Sequence, residues 1–151
     1  MLLLGNCQHT LDDKNRIRLP AKFREKLGNE YIIMPGIDGC IFLYPASAED
    51  KFLQAVEEME FDSENAEKIT RIAEMSAVVE ADSQGRFMIP TILLDYAHID
   101  KEVHIRGAFK YIEIWSEELY QERRANSPQS STSMNEAYMA FHKAVNKTNK
   151  Q

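Results

Sequence analysis

The sequence predicts an α+β fold in which two tandem, pseudo-symmetric repeats of β-hairpin and helix interlock in one β-rich unit. A turn motif occurs twice, 70 residues apart, and short segments with strand-like patterning flank each copy. Amphipathic helical segments follow these strands. Because strands of four to six residues leave open edges, neither copy closes a core well by itself. We therefore expect each copy to pair with the other, and we expect higher assembly.

The repeat is defined by LDDKNRIRLP at residues 11–20 and EADSQGRFMIP at residues 80–90. The aligned pairs are Asp12 and Asp82, Arg16 and Arg86, Pro20 and Pro90, and, one inserted residue later, Gly36 and Gly107, and Tyr44 and Trp115. The predicted boundaries are 1–60 for the first repeat, 61–124 for the second, and 125–151 for a flexible linker and C-terminal tail.

In the first repeat, residues 7–11 form a predicted strand before the turn, and Ile17 and Leu19 alternate with arginines as a half-buried strand requires. Pro20 suits the first position of a short helix that ends at Gly28 and Asn29. Residues 31–34 and 40–44 form a predicted hairpin. Ser47 is the predicted cap of a helix whose core face would be Phe52, Val56 and Met59.

An additional helix, roughly residues 63–75, introduces the second repeat, with Ile69, Ile72 and Ala73 on one face. Residues 77–81 correspond to the first strand, and residues 103–105 and 111–115 form a second hairpin. Ser116 opens the closing helix. Residues 125–134 are rich in serine and predict a linker, and Tyr138, Phe141 and Val145 mark a last amphipathic stretch.

Composition and charge restrict the class of protein. The 151 residues are 44% hydrophobic and 28% charged, which is typical of a globular chain of one domain or two small ones. The longest apolar run is residues 1–4, too short for a membrane span or a signal peptide, so we expect a cytoplasmic protein. Cys7 and Cys40 suggest buried thiols rather than a disulfide framework or a zinc site. We expect no cofactor and no small-molecule substrate.

The charge is polarised along the chain. The net charge is −6, yet residues 1–30 carry six Lys or Arg against four acids, whereas the remainder carries 12 against 20. Residues 47–67 hold eight acids against Lys51 alone. Such a body is not uniformly basic, so a nucleic-acid contact would have to be local.

Each turn places an Asp four residues before an Arg. Asn15 and Gly85 occupy the same position and are the residue types that best tolerate a positive φ, which predicts a tight turn. Asp12 and Asp82 are placed to accept hydrogen bonds from backbone amides and to reach the Arg across the turn. Orienting the guanidinium is a better reason for this pair than stability, since an exposed ion pair contributes at most about 1 kcal/mol.

Cations are concentrated in the first copy. Arg16 and Arg18 share one strand face, about 6.8 Å apart, with Lys14 beside them. The aligned face of the second copy carries Arg86 and Met88, so the second cation is lost there. Lys22, Arg24 and Lys26 on the following helix fit either a solvated face or a DNA contact. A two-stranded ribbon fits the DNA major groove, where Arg to guanine is the commonest specific contact and lysines bind phosphates.

The segments LLGNCQHTLDDKNRIRLPAKFREKLG, EADSQGRFMIP and IEIWSEELY resemble the MraZ family of bacterial transcriptional regulators, encoded at the head of the division and cell-wall gene cluster. The resemblance extends to about residue 124. It implies SpoVT-AbrB-like repeats in a swapped-hairpin (AbrB-like) β-barrel with peripheral helices. It also implies ring-shaped homo-oligomers that bind short G-rich direct repeats in double-stranded DNA upstream of their own operon, as nucleoid-associated repressors.

Carried onto matching positions, the resemblance assigns DNA contact to Arg16 foremost, with Lys14 beside it, and less firmly to Arg86. Asn15 replaces the glycine of the family's D-x-K-G-R pattern, which preserves the turn but alters how closely the backbone approaches DNA. The predicted DNA-binding set is Lys14, Asn15, Arg16, Arg18, Lys22 and Arg86, and the turn-orienting set is Asp12, Asp82 and Gly85.

Two other classes of function were weighed. An enzyme is disfavoured because His9, His98, His104 and His142 are scattered, and the sequence has no HExxH, nucleophile-elbow, Walker or Rossmann pattern. We therefore predict no catalytic and no metal-binding residues. An antitoxin-like module whose acidic helices cover a basic partner protein is the stronger alternative, and in it DNA contact is secondary or absent.

Overall fold

The computed structural model of the protein describes residues 1–127 and 130–149. The chain divides into two compact units, Met1–Leu119 and the segment from Tyr120 onward. Both copies of the turn motif lie in the first unit.

The bounds of the elements within the described residues are as follows. The strands are β1 (Asn6–Thr10), β2 (Arg16–Arg18), β3 (Glu30–Pro35), β4 (Ile41–Pro45), β5 (Ala77–Glu80), β6 (Arg86–Met88), β7 (Glu102–Gly107) and β8 (Ile112–Ser116). The helices are α1 (Ala21–Leu27), α2 (Glu49–Glu58), α3 (Ser63–Met75), α4 (Thr91–Tyr96), α5 (Glu117–Asn126) and α6 (Asn135–Asn149). Short 3₁₀ turns at Ile37–Gly39 and Ala46–Ala48 flank β4.

The main sheet is antiparallel, and its six strands lie in the order β1-β7-β8-β4-β3-β5. Its two edge strands are exchanged between the halves of the chain, because β1 pairs with β7 and β5 pairs with β3. The hairpins β3-β4 and β7-β8 meet at the centre, where Ile41 lies opposite Ile114. The predicted mixed α+β architecture is therefore confirmed, and both halves contribute to one sheet.

A separate two-stranded ribbon pairs β2 of the first half with β6 of the second. Ile17 lies opposite Phe87 in this ribbon, and both side chains are buried. Leu19 and Ile89, each two residues further along, are also buried in the same hydrophobic core. The predicted alternation of buried and less buried residues is confirmed for β2, and β6 shows the same pattern. Since the inward faces are anchored in the core, the outward faces have a fixed position.

Two details of the helices differ from the sequence prediction. Ser47 does not cap α2, because the chain first makes the 3₁₀ turn Ala46–Ala48 and the helix begins only at Glu49. The predicted core face of α2 is also largely wrong. Phe52 packs edge-on against Tyr44 at a ring separation of 4.8 Å, but Val56 and Met59 are 48% and 40% exposed. Ser116 does cap its helix, accepting a hydrogen bond from the Leu119 amide at 3.0 Å.

The two cysteines differ in burial. Cys40 is fully buried, and burial raises the pKa of its thiol to about 12. Cys7 is half-buried against the core, and burial also raises its thiol pKa. Both thiols are therefore protonated at neutral pH. The predicted burial is confirmed for Cys40, whereas Cys7 is only partly buried.

The C-terminal unit contains more helix than the sequence suggested. Helix α5 extends to Asn126, and α6 carries Tyr138, Phe141 and Val145 as exposed side chains. The predicted serine-rich linker forms a turn near residues 130–134, where the Met134 amide bonds the Ser130 carbonyl at 3.2 Å. Residues 128–129 and 150–151 of the predicted tail lie outside the described residues.

Candidate nucleic-acid interface

The first turn, residues 12–16, is held by one carboxylate. Asp12 Oδ1 accepts hydrogen bonds from the backbone amides of Lys14 (2.9 Å) and Arg16 (2.8 Å). The main chain closes the same turn, since the Asp12 carbonyl accepts from the Asn15 amide at 3.0 Å and the Asp12 amide donates to the Arg16 carbonyl at 3.0 Å. Asn15 has φ of 58°, as the sequence predicted. A turn with this many internal bonds fixes the direction of the side chain that follows it.

The second turn, residues 82–86, repeats this geometry. Asp82 Oδ1 accepts from the amides of Gln84 and Arg86, both at 2.9 Å, and Gly85 has φ of 80°. The Asp82 carbonyl accepts from the Gly85 amide at 2.9 Å. The sequence repeat is therefore reproduced bond by bond in the two turns.

The two guanidinium groups are held differently. Arg16 Nε donates to Asp12 Oδ2 at 2.8 Å, and its side chain is 29% exposed. Arg86 Nε lies 3.4 Å from Asp82 Oδ2, and its Nη1 lies 3.9 Å from Asp12 Oδ2. Neither contact of Arg86 is a short hydrogen bond, and its buried Nε has no hydrogen-bond partner among the described residues. Arg16 is thus clamped, whereas Arg86 is loosely held between two carboxylates.

The outward face of the β2-β6 ribbon presents three arginines together. In the antiparallel register Arg16 lies opposite Met88, and Arg18 lies opposite Arg86. These residues alternate with buried Ile17 and Phe87, so all four point away from the core. The sequence predicted each arginine as a surface residue. It did not predict that Arg18 of the first copy stands directly beside Arg86 of the second.

Arg24 on α1 joins this group, although it was not among the predicted site residues. Its Nε donates to the Leu19 carbonyl at 2.9 Å, which orients the side chain toward the end of β2. A Cβ atom at residue 85 would lie 3.3 Å from Arg24 Nη1 and 3.3 Å from Arg18 Nε. The only signal in the sequence was the cationic helix following the strand, since the contact spans 61 residues.

The other predicted cations lie in different surroundings. Lys14 is exposed at the tip of the first turn. Lys22 lies with its Nζ 5.1 Å from the centre of the Phe23 ring and against the backbone of Gly5. The contacts of Lys22 therefore connect it with the N-terminal segment rather than with the ribbon. Asp13 beside the turn pairs with Lys101, Nζ to Oδ1 at 3.2 Å.

The electrostatics of the interface leave an excess of positive charge. Hydrogen bonding from the backbone amide of Arg16 is the largest cause that lowers the pKa of Asp12, assisted by the Arg16 side chain. The Arg86 amide lowers the pKa of Asp82 in the same way. Both carboxylates are therefore ionised at neutral pH. The two turns hold three carboxylates, those of Asp12, Asp13 and Asp82, and Asp13 is paired with Lys101. Five further cations lie in the turns, on the ribbon and on α1, namely Lys14, Arg16, Arg18, Arg24 and Arg86.

The described part of the chain holds no cluster of three or more His, Cys, Asp or Glu side chains that could bind a metal ion. None of its helices combines the length and the hydropathy that crossing a membrane demands.

Comparison with known proteins gives a consistent result. Residues 2–72 and 76–142 match the family model described as "MraZ protein, putative antitoxin-like". The protein from Pelotomaculum thermopropionicum is 35% identical over 130 residues, covering 85% of this chain and 90% of that relative. The proteins from Carboxydothermus hydrogenoformans and Clostridium acetobutylicum are each 37% identical, over 120 and 127 residues. These alignments cover 79% and 83% of this chain, and 84% and 89% of the relatives.

All three relatives carry the name transcriptional regulator MraZ. The family match also continues beyond residue 124, where the resemblance read from the sequence stopped, and it includes most of α6. The family model matches most of the chain, and these relatives are at least 35% identical to it over at least 84% of their own length. Together these matches establish the family. This chain belongs to the MraZ family.

Proposed function

We propose that the protein is a sequence-specific DNA-binding transcriptional regulator that represses its own division and cell-wall gene cluster. It binds short direct repeats in double-stranded DNA through the outward face of the β2-β6 ribbon. The relatives named transcriptional regulators support this function. The observation that carries it is the row of Arg16, Arg18 and Arg86 on one ribbon, aimed by two turns that carboxylates hold.

Arg16 makes the principal base contact in this proposal. Its guanidinium is partly exposed, its turn is rigid, and Lys14 lies beside it for a phosphate contact. Preorganisation matters here, because an Arg that is already oriented loses less side-chain entropy on binding. Arg18 and Arg86 add charge along the same ribbon, and Asn15 shapes the approach of the backbone. The contacts of Lys22 give it a lesser role than the sequence suggested.

The assembly we propose is a ring-shaped homo-oligomer of swapped-hairpin, AbrB-like β-barrels. Residues 1–60 and 61–124 form its two repeats, and the exchange of edge strands between the halves supports this arrangement. Several subunits, each with one modest cationic ribbon, give a strong combined site without requiring a basic body. Such a regulator acts in the cytoplasm, associated with the nucleoid, without a cofactor and without catalysis.

The test is a band-shift assay with DNA from upstream of the protein's own gene. We expect Arg16→Ala to weaken binding to this DNA by about 1–3 kcal/mol, the range for losing one bidentate base contact. Arg71→Ala is the matched control, because Arg71 is an exposed arginine on α3 paired only loosely with Glu67 (3.6 Å). Undiminished binding by Arg16→Ala with an intact fold would refute the assigned contact.

The antitoxin-like alternative has its own structural support. Acidic residues dominate α2 and the first half of α3. Exposed apolar side chains lie on these two helices and on the segment between them, namely Leu53, Val56, Met59, Phe61 and Ile72. A surface of this kind suits a basic partner protein with an apolar patch. In this case Arg16→Ala leaves partner binding unchanged, and the affinity for DNA shows no steep dependence on salt.

A further inference from the structure

The end of the ribbon at Gly85 collects three arginines from three different elements. Arg18 belongs to β2, Arg24 to α1 and Arg86 to β6. Arg18 lies opposite Arg86 in the strand register, and opposite residues in an antiparallel pair have Cβ atoms about 5 Å apart. Arg18 Nε and Arg24 Nη1 would each lie 3.3 Å from a Cβ at residue 85. The second turn therefore has cations beside it that its own repeat does not supply.

Two of these three cations have no carboxylate partner among the described residues. Arg24 Nε bonds a carbonyl oxygen, which carries no net charge. Over the part of the chain that the structure describes, neither Arg18 nor Arg24 forms an ion pair with a carboxylate. Arg86 has only the long contacts to Asp82 and Asp12 at 3.4 and 3.9 Å. Since like charges that face each other across strands are destabilising, an anionic ligand at this position would account for the arrangement.

The first turn lacks this arrangement. The counterpart of Arg18 in the second repeat is Met88, and the counterpart of Arg24 is the buried Leu94. Beside Arg16 the ribbon therefore presents Met88 instead of a second guanidinium. The two turns are similar in backbone geometry but different in the charge that surrounds them, which suggests different partners on DNA. Glycine at residue 85 leaves room for the Arg18 and Arg24 side chains to lie close to the backbone of the second turn.

We propose that Arg18 and Arg24 form, together with Arg86, a phosphate-binding site over Gly85, through which the second turn contacts the DNA backbone. This inference rests on the proposed DNA-binding function, and it assigns different contacts on the DNA to the two turns. The first turn contacts bases through Arg16. The second turn contacts the DNA backbone through Arg86 together with Arg18 and Arg24, which both belong to the first repeat. Arg24 is thereby assigned as a DNA-contacting residue.

The experiment measures fluorescence anisotropy of two labelled duplexes, one with the upstream DNA and one with its scrambled sequence, over a series of salt concentrations. A phosphate contact contributes about 0.9 to the slope of log affinity against log salt concentration. We expect Arg24→Gln to weaken binding to both duplexes by a similar factor and to reduce the slope by about 0.9 for each ribbon that contacts the duplex. Arg24→Lys retains the charge and most of the slope.

Lys26→Gln is the matched control, because it removes one positive charge from the same helix at a side chain that contacts the Leu2 carbonyl at 3.0 Å. We expect Lys26→Gln to leave the slope of log affinity against log salt concentration unchanged. Arg18→Gln serves as a second variant if Arg24→Gln fails to reach the wild-type circular dichroism spectrum, and it shows the same reduced slope. A wild-type slope in these variants, or a loss confined to the upstream duplex, overturns the phosphate site. Absence of binding by the wild-type protein overturns the proposed function as well.

Discussion

Asp12 contacts the arginines of both turns with a single carboxylate. Its Oδ2 lies 2.8 Å from Arg16 Nε and 3.9 Å from Arg86 Nη1, and its Oδ1 binds two backbone amides of its own turn. Among the residues that the structure describes, Asp82 forms no ion pair with Arg16, so the two repeats are not interchangeable at this point. Asp12 thus holds Arg16 of its own turn firmly and also forms a longer contact with Arg86 of the second turn.

Neutralising Asp12 should lower the specificity for the upstream DNA without lowering the overall affinity for DNA. In Asp12→Asn the clamp on Arg16 weakens while the interface becomes more positive. We expect the preference for upstream over scrambled DNA to fall about tenfold, which corresponds to about 1.4 kcal/mol. Binding to scrambled DNA at low salt should stay equal or become tighter, because phosphate attraction increases. Anisotropy titrations with the two duplexes measure both effects.

Asp13→Asn provides the control for this experiment. It adds the same charge one residue away, but the Asp13 carboxylate pairs with Lys101 and contacts neither arginine. The control should strengthen binding to both duplexes without changing their ratio. Equal behaviour of the two variants would show that Asp12 acts only through its charge.

At the scale of elements, two glycines at equivalent repeat positions mark places where other groups approach the sheet closely. A Cβ at Gly36 would lie 2.7 Å from Cys40 Sγ, and a Cβ at Gly107 would lie 2.6 Å from the Leu3 carbonyl carbon. At Gly107 the obstacle is backbone, which cannot move aside as a flexible side chain can. The N-terminal segment therefore depends on this glycine for its place on β7.

Gly107→Ala should detach that segment. The new methyl group would displace Leu3, which is fully buried, and would strain the bonds from the Gly107 amide to the Gly5 carbonyl (2.8 Å) and from the Phe109 amide to the Leu3 carbonyl (3.0 Å). We expect the free energy of unfolding to fall by about 1–3 kcal/mol, as for other overpacked sites. Urea unfolding measures the change, with the exposed Lys110→Ala as control. An unchanged urea midpoint would show that the N-terminal segment accommodates the new methyl group without loss of stability.

The elements themselves could largely be predicted from the sequence, but their contacts could not. Alternating residues predicted β2, and the sequence repeat predicted β6 at the equivalent place. The tight-turn residues predicted the bends before both strands, because this signal is local. Periodicity identifies an apolar helix face without saying what covers it, and Val56 and Met59 proved to be exposed within this chain. The convergence of Arg24 on Gly85 depends on the pairing of β2 with β6, which no local pattern encodes.

At the scale of the whole molecule, charge is separated rather than balanced. The net charge is −6, yet five cations, three of them on the ribbon, gather beside the two turns. The acids are concentrated instead in residues 47–67, which hold eight acids against Lys51 alone. A long-range attraction to DNA would be weak for this body, so affinity must come from local contacts that are repeated. This is the physical reason for proposing an oligomer.

An oligomer that presents several ribbons should distinguish DNA with two repeats from DNA with one. Once the first ribbon binds, the second repeat is met at a high effective concentration, so we expect affinity to rise about 100-fold. Inserting about 5 base pairs between the repeats turns the second one to the opposite side of the duplex, since one turn is about 10–10.5 base pairs, and the gain should disappear. Anisotropy with one-repeat, two-repeat and inserted probes measures this, and the one-repeat probe is the reference. Independent monomers would bind each repeat with the same affinity in all three probes, and such a result would exclude linked ribbons as the source of affinity.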